Sequence, residues 1–322
     1  MNAGNYSLIG DIGGTNARFA LVRSGEVVPE AVEVLPCRYY DNIDAAISDY
    51  LQRVGVAQVQ GACLAVAATP GLGTQVRMTN NHWRFDSEEL RHQFGWALFK
   101  VINDFTAMAL GVPLVAAEKL VHVCGGPGNN SRPRLVIGPG TGLGVSALVP
   151  SCNGRVPLIT EGGHVDFAPV DDTEMAILNI LKARFGRVSA ERILSGEGLL
   201  NLYQAHARIQ GVAAPMDAPE TITKAALDDS DALARLALNH FCEILGRVAG
   251  NAVLTLGSTG GVYLCGGILP HFIDFFLQSP FQKAFGDKGR MRPMLEATPV
   301  YIVTEGYAGL LGAAEALVNP EV

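Results

Sequence analysis

The sequence predicts an α/β protein built from two related units, and three observations carry that prediction. A hairpin with a glycine- and threonine-rich connection occurs twice, near the start and near the middle of the chain. Apolar runs of strand length alternate with helix-periodic stretches after each of them. No linker rich in Pro, Ser or charge interrupts the 322 residues, a length that favours two domains of roughly 100–200 residues over one.

The first hairpin is Tyr6–Gly10, the turn Asp11-Ile12-Gly13-Gly14-Thr15, and Arg18–Val22; the second is Arg134–Gly138, Pro139–Gly144, and Val145–Val149. Between them come a periodic helix from Asn42 to Val54, a buried strand from Gly61 to Ala67 and a strand-to-helix junction at Phe99–Phe105. After the second come a strand at Val156–Thr160, helices near 172–186, 189–209, 221–228 and 230–257, and a strand at Gly261–Cys265. Another helix is expected to begin near Pro270 and a last one to span Ala308–Val318. Such an echo reads as two α/β units around one cleft. We expect a small unit over 1–110, a large one over 111–305, and packing of the terminal helix, 306–322, back on the small unit.

Composition removes several function classes. The 24 Lys+Arg and 31 Asp+Glu give a net charge of −7, so neither nucleic acid nor an anionic membrane has an electrostatic reason to approach. The six cysteines (37, 63, 124, 152, 242, 265) form no Cys-x-x-Cys pair, which fits reduced thiols in a cytoplasmic protein. The N-terminus has no basic flank before a long apolar stretch, unlike a signal peptide. From Val248 to Ile273 no Asp, Glu, Lys or Arg occurs, but six glycines, Asn251, Ser258 and Pro270 interrupt the run. It reads as a buried helix followed by a buried strand, and no membrane span is expected.

Both hairpin turns suit phosphate. In Asp11-x-Gly13-Gly14-Thr15 the glycines let backbone N–H groups approach an anion without a Cβ in the way. Thr15 adds a donor, and Asp11 at the mouth can hold Mg²⁺ through water. The alternative is an ordinary Asp-Gly turn. In Gly138-x-Gly140-Thr141-Gly142-x-Gly144 four glycines alternate, more than one turn needs. No Gly-Lys dipeptide occurs, so a Walker-type loop is excluded. Leu143 stands where a dinucleotide fingerprint needs its third glycine, and a strand rather than a helix follows. Gly266-Gly267 closes a strand, where bare backbone accepts an adenine or ribose, or simply turns.

The candidate chemistry lies elsewhere. Asn103-Asp104 ends an apolar strand and starts an apolar-periodic stretch. Asp104 there is either a helix N-cap or a carboxylate that accepts the proton of an attacking hydroxyl; Asn103 offers a donor and an acceptor to a neighbouring hydroxyl. Glu161-Gly162-Gly163-His164 brings a carboxylate and an imidazole into one tight loop, suited to a vicinal diol. Zinc would need further ligands, and the next cysteine is Cys242; a lone structural histidine is the other reading. Ser189-Ala190-Glu191 opens a helix, with Glu191 favourable in its first turn.

In order and spacing, DIGGTNAR (11–18), INDFTA (102–107), GPGTGLG (138–144), EGGHVDF (161–167), SAERILSG (189–196) and CGGI (265–268) resemble the bacterial glucokinase family, over essentially the whole chain. The resemblance implies two ribonuclease-H-like, actin-like ATPase domains around an ATP/sugar cleft. It further implies transfer of the ATP γ-phosphoryl group to the 6-hydroxyl of glucose, with Asp104 as base. Asn103, Asp104, Glu161, His164 and Glu191 would hold the sugar. Gly10 to Thr15, including Ile12, would hold the nucleotide together with Gly138, Gly140, Thr141, Gly142, Gly144, Gly266 and Gly267. Mg²⁺ and ATP are the expected cofactors, with no structural zinc, because the cysteine cluster of the related ROK sugar kinases is missing here. A homodimer is expected by the same resemblance. Alternatives are a kinase for mannose, glucosamine, fructose or an N-acetyl sugar, an actin- or Hsp70-like ATPase switch, and a non-catalytic sugar sensor.

Overall fold

The computed structural model describes residues 6–68, 73–79 and 81–322. The chain begins with β1 (Tyr6–Ile12), β2 (Asn16–Arg23), β3 (Glu30–Pro36), α1 (Ile43–Arg53) and β4 (Gly61–Val66). A short pair follows, β5 (Gln75–Arg77) and β6 (Arg84–Asp86), then α2 (Ser87–Phe94), β7 (Leu98–Asn103) and α3 (Asp104–Gly111). Next come β8 (Leu120–Cys124), β9 (Arg134–Pro139), β10 (Leu143–Pro150) and β11 (Arg155–Leu158). Helices α4 (Asp172–Phe185), α5 (Gly196–Gln210), α6 (Pro219–Leu227) and α7 (Ala232–Leu256) precede β12 (Val262–Leu264). The chain ends with α8 (Ile273–Gln278), α9 (Phe281–Gly286), α10 (Arg292–Glu296), β13 (Val300–Val303) and α11 (Ala308–Val318).

These elements pack as two compact units. One comprises the described residues of Met1–Ala117 with Leu148–Ile159 and Glu305–Val322; the other comprises Glu118–Ala147 and Thr160–Thr304. The first contains a five-stranded sheet in the order β3-β2-β1-β4-β7, with β1 antiparallel to β2 and parallel to β4, and β4 parallel to β7. A six-stranded sheet has the order β11-β10-β9-β12-β13-β8, with β12 parallel to both β9 and β13. Strip off β8 and the two orders are the same, a hairpin arm on one side of a central strand and parallel strands on the other. This is the ribonuclease-H-like arrangement, present twice, and it is the structural form of the echo seen in the sequence.

Each unit has its own core. In the first, Phe19, Leu21 and Leu64 of the sheet pack with Ile47 and Tyr50 of α1 and with Trp83, all almost fully buried. α3 and α11 cross with backbone touching backbone. A Cβ on Gly312 would fall 1.7 Å from the Ala107 carbonyl oxygen, and one on Gly111 would fall 2.0 Å from that of Ala308. In the second unit, α7 starts at the Asp231 cap and stops at Gly257, whose φ of 63° is left-handed. Its buried stripe, Leu238, Phe241, Leu245, Ala249 and Val253, repeats every three to four residues as a core-facing helix requires.

Three local expectations are corrected. The helix expected over 189–209 is broken: Ala190–Arg192 make a single 3-10 turn and α5 begins only at Gly196. Ser195 causes the break, because its extended backbone (φ −149°, ψ 178°) cannot be helical while its hydroxyl caps the Gly198 amide at 3.0 Å. The strand expected over Val156–Thr160 ends at Leu158, and the Thr160 hydroxyl instead donates to the Val145 carbonyl at 2.6 Å. Near Pro270 there is only a 3-10 turn, Leu269–His271, before α8 starts at Ile273.

Candidate active site

In the first unit the parallel register lines up the first glycine turn and the carboxylate candidate. Ile12 pairs with Val66, and Val66 pairs with Asn103. The Gly13-Gly14-Thr15 turn and Asp104 therefore leave the same edge of the sheet, two strand spacings or about 10 Å apart. The turn is closed by the Gly13 amide donating to the Asn16 carbonyl at 3.0 Å, and Gly14 and Thr15 are exposed. Gly10 sits tightly beneath it, where a Cβ would come 2.7 Å from a methyl of Leu64.

Asn103, not Asp104, caps α3. Its Oδ1 accepts the amides of Phe105 (2.9 Å) and Thr106 (3.3 Å), and its Nδ2 reaches the Ala68 carbonyl at 3.4 Å. Asp104 is the first helical residue, and its Oδ1 accepts the Phe105 amide at 2.9 Å. The cap role that competed with catalysis for Asp104 thus belongs largely to its neighbour.

Asp11 faces Arg18 directly across the β1–β2 hairpin, with Arg18 Nη1 3.3 Å from its Oδ2. Its side chain is 15% exposed. Burial pushes its carboxyl above the usual range, and the Arg18 guanidinium pulls the other way. Gly309, in the first turn of α11, closes over this carboxylate; a Cβ there would come 3.0–3.3 Å from its atoms.

In the second unit the structure brings together Glu161, His164 and Glu191. His164 Nε2 lies 3.9 Å from Glu161 Oε2, and its Nδ1 lies 3.9 Å from Glu191 Oε1. Neither is a hydrogen bond. A hydroxyl oxygen set off either line, at about 2.8 Å from both atoms, would satisfy the pair at once. Glu191 does more than face the histidine, because its Oε2 accepts the Leu143 amide at 2.9 Å. A Cβ on Gly142 would fall 2.4 Å from that same oxygen. The second glycine turn and the acid–imidazole group are therefore hydrogen-bonded to each other.

The rest of that turn is also pinned. The Gly140 amide donates to the Gly142 carbonyl at 2.8 Å, and the Gly140 carbonyl accepts the Gly196 amide at the start of α5. Thr141 is exposed, and Gly144 lies on β10. Gly266-Gly267 comes alongside, since Ile137 pairs with Leu264. A Cβ on Gly138 would fall 2.2 Å from the Cys265 carbonyl oxygen, and Gly266 has a φ of 94°. Among the described residues no group of three or more His, Cys, Asp or Glu side chains is arranged to hold a metal ion.

Sequence reading missed the clamps on the first turn. The Cys37 amide donates to the Thr15 carbonyl at 2.9 Å, and Asn81 Nδ2 donates to the Gly13 carbonyl at 3.3 Å. Nothing in spacing announces contacts across 22 and 68 residues. The Arg18 partnership was accessible, because a hairpin centred on Gly14-Thr15 sets residues 11 and 18 opposite each other.

Comparison with known proteins adds an independent result. Residues 8–320 match the family model described as glucokinase. The chain is 72% identical over 322 residues to a glucokinase of Marinobacter nauticus, covering 100% of both chains. It is 56% identical over 322 residues to one of Hahella chejuensis, again covering 100% of both. A crystal structure of glucokinase from an Antarctic psychrotroph superposes with a TM-score of 0.89 at 35% identity, over 98% of this chain and 99% of that one. This chain belongs to the glucokinase family.

Proposed function

We propose that this protein transfers the γ-phosphoryl group of ATP to the 6-hydroxyl of D-glucose. The observation that supports the reading is the Ile12–Val66–Asn103 row, by which the Gly13-Gly14-Thr15 turn and Asp104 leave one edge of the sheet; family membership supports it. Asp104 takes the proton as the hydroxyl oxygen forms its bond to the γ-phosphorus and the bond to the β–γ bridging oxygen breaks, releasing ADP. Asn103 and Asp104, with Glu161, His164 and Glu191, hold the sugar hydroxyls. The two glycine turns and Gly266-Gly267 hold the nucleotide. The transition state of phosphoryl transfer is loose, so positioning and charge supply most of the rate.

Mg²⁺ belongs to the same proposal. A half-buried carboxylate at a phosphate turn fits an ion that keeps most of its water and takes one or two carboxylates plus substrate phosphates, and Asp11, paired with Arg18, is that carboxylate. When bound, the ion neutralises phosphate charge. Arg18→Leu removes the cation that opposes the burial effect on Asp11 and raises its carboxyl further. The acid limb of kcat/KM for MgATP is then expected to move to higher pH in a rate–pH profile; an unmoved limb would detach Asp11 from the nucleotide.

A coupled ADP assay over a panel of hexoses tests the substrate. Sugar-independent ATP hydrolysis would favour an actin-like switch, and a better rate on mannose or glucosamine would reassign the sugar. Glu161→Gln is expected to raise the apparent KM for glucose by roughly 10–100-fold, the loss of one charge-assisted hydrogen bond. Unchanged sugar dependence would move the sugar away from this loop. The homodimer and cytoplasmic location implied by the family complete the proposal, and sedimentation velocity checks the first. No helix among the described residues is long and apolar enough to cross a membrane.

A further inference from the structure

We propose that the second unit holds an effector site, a cavity of about 310 Å³ bounded by β9, β10 and α7, which takes a small carboxylate with an apolar body and tunes the affinity of the Glu161–His164 loop for its ligand. The coupling half of this inference rests on the reading of that loop as the sugar site; the binding half does not.

The cavity has two characters that one occupant reconciles. Its walls are apolar, with Val145, Phe167, Ile244 and Val248 among them. Its volume is at the lower end of the range for small-molecule sites and equals about ten waters of liquid. Water in such a chamber finds few partners along the walls. Yet Lys288 also lines it. The lysine stem lies flat over α7 at Gly250, where a Cβ would come 2.7 Å from Lys288 Cε.

The ammonium group makes no hydrogen bond or ion pair among the described residues, although Asp287 is an acidic neighbour. Arg247, the other cation in the lining, is already engaged by Glu174 and by Glu243 at 2.8 Å. Asp166, the acid in the lining, is held by Arg187 at 2.7 Å. Burial, and then the charge of Arg247, push the Lys288 amine below its usual range, against the opposite pull of Asp287. An apolar chain along the walls and a carboxylate against Lys288 would satisfy both surfaces.

The cavity also touches the sugar loop from behind, since Thr160 and Gly162 line it. The Thr160 hydroxyl donates to the Val145 carbonyl and accepts the Gly162 amide at 3.3 Å. A Cβ on Gly162 would meet Val145 at 2.9 Å. The backbone carrying Glu161 therefore rests on a cavity wall, and an occupant that shifts Val145 shifts that backbone. Linkage makes the effect reciprocal.

Calorimetric titration of the full chain with octanoate and with 1-octanol tests the proposal without requiring turnover. One octanoate is expected per chain, with 1-octanol much weaker. Lys288→Met, which keeps the stem, should weaken octanoate by at least about tenfold, and Ala252→Trp, which fills the cavity from α7, should abolish binding. Should the tryptophan variant fail to fold, Lys288→Met decides. Saturating octanoate should change the glucose Kd by about fivefold or more. No saturable binding at millimolar octanoate, or equal binding by wild type and Lys288→Met, would overturn the site. Equal affinity for 1-octanol would overturn the anion class, and an unchanged glucose Kd would overturn the coupling. A chain that binds octanoate but phosphorylates no sugar would sink the kinase reading and leave this site standing.

Discussion

Asp104→Asn is expected to lower kcat with glucose by roughly 10²–10⁴-fold, the usual contribution of a general base, while the calorimetric Kd for glucose stays near the wild-type value. The split follows from what each atom does. Asn can still accept hydrogen bonds from a sugar hydroxyl, but it cannot take the proton that the attacking oxygen must lose. The variant should fold, because the cap of α3 is supplied by Asn103 through the Phe105 and Thr106 amides. Helix entry therefore does not depend on the charge at 104. Near-normal turnover would remove Asp104 from the chemistry. A collapse of glucose affinity with kcat intact would reassign it to binding alone.

Glu174→Ala should produce a large loss of stability. Glu174 is fully buried on α4, and its Oε2 accepts the Val170 amide at 2.9 Å. Its Oε1 is shared by Arg247 and by His240, whose Nε2 is 3.0 Å away; His240 Nδ1 in turn lies 2.9 Å from His206 Nε2. The network joins α4, α5 and α7. Removing the carboxylate strands a buried guanidinium and leaves an imidazole N–H unpaired, at a cost of about 3–5 kcal/mol. That corresponds to a fall in the unfolding midpoint of roughly 6–20 °C. A calorimetric midpoint within about 2 °C of wild type would show that Glu243 and solvent compensate.

The same network sets a pH dependence. Burial pushes His206 down to about 4, with His240 adding to the effect, and burial lowers His240 as well. Both are then neutral in the folded chain, with the proton placed by the chain of bonds: His206 Nε2–H donates to His240, and His240 Nε2–H donates to Glu174. Between pH 6.5 and about 4 the unfolded chain binds protons that the folded chain refuses. Stability should therefore fall as the pH drops through that window, and the fall should level off below it. A midpoint flat over that window would mean the imidazoles already carry charge when folded.

Much of this architecture could be read before any coordinates. The two glycine hairpins stood out because alternating apolar strands flank residues that tolerate unusual backbone. The junction at Asn103-Asp104 stood out because an apolar run ends there in two polar residues. Which of the two caps α3 was not legible: both side chains suit the role, and only the reach of Asn103 Oδ1 to the amides two and three residues on decides it.

The break at Ser195 was hidden for a similar reason. A serine inside a helical pattern reads as a surface residue until its hydroxyl is seen capping the next helix. Glu191 was noticed, but its bond to the Leu143 amide spans 48 residues, and local patterns carry no information at that range. The Glu174 network was invisible because charged residues on helices read as solvated faces, whereas tertiary packing buried this one. Nor did anything in Leu148–Ile159 announce that it packs with the first unit.

The tight crossing of α3 and α11 has a further consequence, for biosynthesis. Ribosomes release chains amino end first, and domains ordinarily fold as they emerge. Here the helix that seals the earliest-made sheet and closes over Asp11 at Gly309 is specified after residue 307. The first-translated unit therefore stays partly uncovered while most of the other unit is made. Contacts this distant in sequence form slowly, and a nascent chain short of Gly309 would carry every proposed site residue without the helix that closes over Asp11.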